Sequence, residues 1–206
     1  VGPLSLRIAA AKGDPSAEFE VAARLAEGKG IKQDFEQALD WYQRSAARGF
    51  APAQYRLATL FERGFGTKPD IGRARIWYKR AAELGNVKAM HNLAVLSANR
   101  ESTTPDYPTA AHWFTEAANR GLSDSQFNLG VLFENGLGVA KDEKTAYKWL
   151  ALAARSGDKE SVRRRDLAGQ KLAPDDRSQM DYELGLWRGI AVDKAVANAA
   201  VRAGGA

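Results

Sequence analysis

The sequence predicts an all-α fold, a solenoid of helical hairpins, and three observations predict it. Gly13, Gly49, Gly85, Gly121 and Gly157 are each 36 residues apart. Trp41, Trp77, Trp113 and Trp149 keep the same step, as do Asp34, Asp70, Asp106 and Asp142. Between these marks the apolar residues recur at helical intervals. A fixed period in this range, without one insertion, means that each copy is one supersecondary unit. A lone hairpin cannot bury its own faces, so each copy serves as the core of the next.

The elements follow in order. Residues 1–13 contain "SLRIAAAKG", which aligns with "WYQRSAARG" one period later and reads as the second helix of an incomplete earlier unit, or as a capping helix. Residues 14–157 hold four repeats. Each opens with a helix A of about three turns: "AEFEVAARLAEG", "AQYRLATLFERG", "AMHNLAVLSANR" and "SQFNLGVLFENG", with Leu25, Leu57, Leu93 and Leu129 among the apolar positions. "GKG", "GFG" and "GLG" then supply glycines able to take positive φ and reverse the chain. The periodic Asp is placed to cap the next helix by accepting from its free first-turn amides. Helix B carries the Trp and its neighbour as apolar payload, and ends at the periodic glycine.

The third repeat departs from this pattern. It has Arg100 and Ser102 where the others have turn glycines, at unchanged length. Asn99 tolerates left-handed geometry and Pro108 is admissible in a first helical turn, so the repeat is expected to fold with a differently shaped loop. After Gly157 the period fails. Residues 158–190 read as two further helices that cap the last hydrophobic face, and 191–206 as a linker or disordered tail.

Composition narrows the function. With no cysteine there is no disulfide, thiolate nucleophile or cysteine metal site. No stretch approaches the roughly 20 apolar residues of a membrane span. The net charge of +5 is mild and both signs are interspersed, which argues against a nucleic-acid surface. Arg163, Arg164 and Arg165 form the one dense basic run, but consecutive helical residues point about 100° apart, so they read as solvated helix cations rather than one patch.

The repeat has the form A-x-x-x-L-[AG]-x-L-[FY]-x-x-G-x-G-x-x-x-D…A-x-x-W-[YF]-x-x-A-A-x-x-G, met almost throughout by residues 53–85 and 125–157. It resembles the Sel1-like repeat, a relative of the tetratricopeptide repeat. The resemblance implies a right-handed α/α superhelix used for protein contacts, without catalysis. More narrowly, the stretch that begins "GPLSLRIAAAKGDPSAEFEVAARLAEGKG" and runs through the repeats resembles the Sel1-repeat region of the PodJ type of alphaproteobacterial polar localisation factors. That likeness implies a periplasmic module of a longer, membrane-anchored scaffold, with a peptidoglycan-binding module as a possible neighbour.

Catalysis finds little support. His91 and His112 lie on different helices, and no HExxH, GxSxG or phosphate-loop pattern occurs. His112 takes the slot of Asp40, Ile76 and Lys148 and reads as exposed; His91 takes the slot of Phe19, Tyr55 and Phe127 and reads as packed. The expectation is no catalytic residue, no cofactor and no metal. In tetratricopeptide-like superhelices helix A lines the concave surface, which gives three rows as the candidate site for a protein or peptide partner. These are Glu20, Arg56, Asn92 and Asn128; the aromatic row with Tyr55, His91 and Phe127; and Glu27 followed by Arg63, Asn99 and Asn135. Asparagine can bond a peptide backbone through both halves of its amide. Two alternatives stand beside this reading. One is a peptidoglycan binder or remodelling enzyme using Glu20 and Glu27; the other is a periplasmic regulator docking on a sensor kinase.

Overall fold

The computed structural model describes residues 1–28, 30–99 and 104–190. Arg100 and Ser102, and the 191–206 tail, lie outside the described residues. Among those described there are eleven α-helices and no strand. The first is α1 (Leu4–Ala11). Four hairpins follow: α2 (Pro15–Glu27) with α3 (Phe35–Ala47), α4 (Ala51–Arg63) with α5 (Ile71–Glu83), α6 (Val87–Ala98) with α7 (Tyr107–Asn119), and α8 (Ser123–Asn135) with α9 (Glu143–Ala154). Two more helices, α10 (Lys159–Gln170) and α11 (Pro174–Leu186), complete the described chain. The chain forms two compact units, one of residues 1–89 and one beginning at Met90.

Repetition of sequence becomes repetition of hydrogen bonds. The carboxylates of Asp34, Asp70, Asp106 and Asp142 accept from the amides of Gln37, Arg73, Thr109 and Thr145, so all four periodic aspartates cap helix B. Each of these aspartates also donates its own amide back across the turn. The acceptors are the carbonyls of Leu25, Phe61, Ser97 and Phe133, at 3.0, 2.8, 2.9 and 3.1 Å. The third hairpin therefore keeps the closing bond of the others although its loop has lost the glycines. At the other end of helix B, Gly49 (φ +83°) donates to Ala46 and Phe50 to Ser45, the paired bonds that satisfy terminal carbonyls when a glycine enters the left-handed region.

These caps carry a testable stability term. The Asp142 carboxyl is held below the usual carboxylate range, first by the Thr145 hydroxyl and then by the backbone amides of Thr145 and Lys144. A depressed folded-state value means that the cap stabilises above the ordinary aspartate pKa and loses its effect as pH falls through the folded value. Asp142→Ala is expected to cost about 1 kcal/mol near neutral pH. Its denaturation midpoint should converge on that of the parent protein as the medium becomes strongly acidic.

Packing corrects the expectation that the Trp and its neighbour share the apolar payload of helix B. The Trp of each helix B is not the main core residue: Trp41, Trp77 and Trp113 are half-buried, and only Trp149 is buried. Full burial belongs to the next residue, Tyr42, Tyr78, Phe114 and Leu150, each 3% exposed or less. One residue on a helix is a rotation of about 100°, which turns that neighbour straight into the hairpin and leaves the indole at its edge. There a cation covers the ring instead, with the guanidiniums of Arg44 and Arg80 4.6 Å from the centres of Trp41 and Trp77.

In the second and fourth repeats the second glycine of the turn is placed by backbone proximity. A Cβ on Gly66 would lie 2.2 Å from the carbonyl oxygen of Phe35, the first residue of α3, and one on Gly138 would lie 2.3 Å from the carbonyl carbon of Tyr107, the first of α7. The turns of the second and fourth repeats thus rest on the start of helix B of the repeat before each.

Candidate functional site

Helix A positions the rows named from the sequence, and each compact unit is taken by itself. In the first unit, Glu20 is half-buried on α2 and paired with Arg24 at 2.8 Å, one turn along the same helix. Arg56 and Arg63 are exposed on α4, and Glu27 is exposed at the end of α2. Arg56, Glu27 and Glu20 all act electrostatically on the buried Tyr42 hydroxyl, which places them around one side chain. Burial dominates there and pushes that hydroxyl up to about 12. Tyr55 is half-buried, its ring 5.8 Å from that of Tyr78, while Phe19 packs against Tyr42 and Phe50 at 5.5 and 5.3 Å.

In the second unit, Asn92 on α6 and Asn128 on α8 are half-buried, and Asn99 and Asn135 are exposed. The Asn135 amide donates to the Val131 carbonyl of its own helix. Phe127 is half-buried against the core of this unit. His91 stands edge-on to Phe114 at 5.6 Å, with Nδ1 2.8 Å from the Ser125 hydroxyl. Burial lowers its pKa, partly opposed by Asp124. Ser125 and His91 meet here, but Ser125 is 0% exposed, so its oxygen is a packing group that satisfies the histidine rather than a nucleophile facing substrate. His112, read as exposed, is exposed. The aromatic row is thus packed against ring neighbours or core residues while each of its members stays half-buried. The polar row stands at the surface beside it.

A row that sequence reasoning passed over lies one slot away. The Gln54 amide is buried and donates to the Ala46 carbonyl at 3.2 Å, and Gln126 does the same to Ala118 at 3.1 Å. Each ties the start of a helix A to the end of the preceding helix B. Glu18 holds the same slot at 2% exposure, with an Arg48 guanidinium 3.4 Å away. Burial raises its pKa and the arginine opposes the rise. In the sequence this slot reads Glu18, Gln54, Met90 and Gln126, a mixed polar and apolar column that does not by itself mark a buried tie. The basic run divides as its helical angles require: Arg163 pairs with Glu160, Arg164 with Glu134, and Arg165 with Asp166.

Capped helical hairpins repeating at a fixed step, with a row of polar side chains on the first helix of each, define an α-solenoid repeat protein. Four consecutive stretches, residues 15–50, 51–86, 87–122 and 123–158, match the Sel1 repeat, and the chain belongs to the Sel1 repeat family. It is similar to the crystal structure of a Sel1 repeat protein from Oxalobacter formigenes, with 34% identity and a TM-score of 0.70, over 78% of this chain and 46% of that one. It is also similar to c5321, a protective antigen of uropathogenic Escherichia coli strains displaying an SLR fold. There the identity is 25% and the TM-score 0.53, over 86% of this chain and 46% of that one. The chain thus spans about half the length of both structures. No curated protein matches it. The Sel1 repeat is a non-catalytic scaffold fold, and proteins built from it generally act as protein–protein interaction scaffolds.

Proposed function

We propose that the chain is the interaction module of a bacterial cell-pole localisation factor, working in the periplasm and recruiting polar or envelope proteins through the outward faces of its A helices. The observation that carries the binding surface is one polar slot of helix A in every repeat, held by Glu20 and Arg56 in the first unit, with the half-buried ring of Tyr55 beside them, and by Asn92 and Asn128 in the second, beside those of His91 and Phe127. The donors of Arg56, Asn92 and Asn128 suit the carbonyls or carboxylates of an extended segment and the Glu20 carboxylate suits its amides, with aromatic edges as the apolar floor. The polar and periplasmic assignment is supported by the sequence resemblance to polar localisation factors.

The triple change Arg56→Ala, Asn92→Ala, Asn128→Ala tests the surface. Capture of partner proteins from the native envelope by crosslinking is expected to fall at least tenfold, about 1.4 kcal/mol. The melting temperature should move by no more than a few degrees, because outward side chains contribute little to folding. Undiminished capture would place the surface elsewhere, and a collapsed melting curve would make these side chains packing groups.

A further inference from the structure

The arginine cluster of the second unit forms a site that the helix-A surface does not include. A cavity of roughly 330 Å³ opens between α9, α10 and α11. Among the described residues its lining holds three arginines, Arg155, Arg165 and Arg177, against one carboxylate, Asp181. The three come from different places in the chain. Arg155 caps the C-terminus of α9, Arg165 is the member of the basic run that turns away from Glu160 and Glu134, and Arg177 stands in the first turns of α11. Their positions are fixed. Arg155 donates to the Leu184 carbonyl, Arg165 is forked onto its neighbour Asp166, and Arg177 lies 4.0 Å from Asp181, which in turn accepts from the Tyr147 hydroxyl at 2.6 Å. Ala151 and Leu184 make an apolar floor.

We infer that this cavity binds the carboxylate side chain of an acidic peptide segment. Guanidiniums present planar forks that match a carboxylate with two parallel hydrogen bonds, and a guanidinium engaged by one or two bonds keeps further donors from its five. The volume lies near the lower end of ligand sites and holds one or two side chains rather than a polymer. The floor receives the methylenes of a glutamate stem. Asp181 decides between anions: fixed inside the cavity by Tyr147, it opposes a doubly charged phosphoryl group more strongly than a single carboxylate. Exposed charges are screened by salt, so binding weakens as ionic strength rises.

Calorimetric titration of the full chain tests this with a short peptide of alternating Glu and Leu, acetylated and amidated so that only side chains carry charge. Saturable binding is expected, weakened at least tenfold by Arg165→Gln and by Arg177→Gln and unchanged by Arg163→Gln, which pairs with Glu160 outside the cavity. Asp181→Asn should tighten it. Arg165→Gln is the deciding variant, because it leaves the contacts of Arg155 and Arg177 with α11 in place; a melting curve verifies that it is folded. Equal binding of a Gln–Leu peptide, equal binding by folded Arg165→Gln, or inorganic phosphate displacing the peptide at equal concentration would each overturn the assignment. The helix-A experiment uses other residues and native partners, so either reading can fail without the other.

Discussion

Gly66→Ala is expected to lower the unfolding free energy by about 2 to 5 kcal/mol, a left-handed penalty of about 1 to 2 added to an overpacking cost of about 1 to 3. The residue sits at φ +71°, and the added carbon would fall 2.2 Å from the Phe35 carbonyl oxygen and 2.8 Å from the Glu36 nitrogen. Those are backbone atoms at the start of α3, and no rotamer change moves them aside. Gly138→Ala should behave alike, with its nearest atoms the Tyr107 carbonyl and the Pro108 nitrogen at 2.3 to 2.6 Å. Gly30 supplies the control. It occupies the same place in the first turn with φ +76° but has nothing within 4 Å of the built carbon, so Gly30→Ala should cost only the conformational term of about 1 to 2 kcal/mol. Urea denaturation of the three variants measures the difference. Equal losses would show that the turns yield, and that contact with the preceding repeat does not fix the glycine.

Tyr78→Ala should cost about 3 to 5 kcal/mol, the range for removing a buried aromatic side chain, while Trp77→Ala should cost about 1 to 2 kcal/mol, because its indole is only half-buried and loses less area. Tyr78 is 0% exposed, and its hydroxyl donates to Glu62 at 2.5 Å and lies 3.2 Å from the Thr59 hydroxyl. Tyr78→Phe, which keeps the ring and removes those bonds, should cost about 1 to 2 kcal/mol, well below the loss of the whole side chain. Thermal and denaturant unfolding of the three variants orders them. A Trp77→Ala loss as large as that of Tyr78→Ala would restore the tryptophan as the main contact of the hairpin.

The sequence by itself determined the repeat, its period, its helices and its caps. Gly49, Asp34 and the "GFG" turn are local devices: positive φ, an N-cap and a reversal act within a few residues of themselves, so they are legible in a linear text. It also showed which slots of helix A are polar. It assigned both of two adjacent large residues, Trp77 and Tyr78, to the core, because both are apolar enough to be buried and only the rotation of α5 against its hairpin partner separates them. The buried carbonyl ties of Gln54 and Gln126 were hidden for the same reason, since an amide on a helix face looks solvated until the end of the preceding helix is set against it. Most distant from the text is the cavity of Arg155, Arg165 and Arg177. Those residues share no period and no element, and only the packing of α10 and α11 against α9 brings their charges to one place.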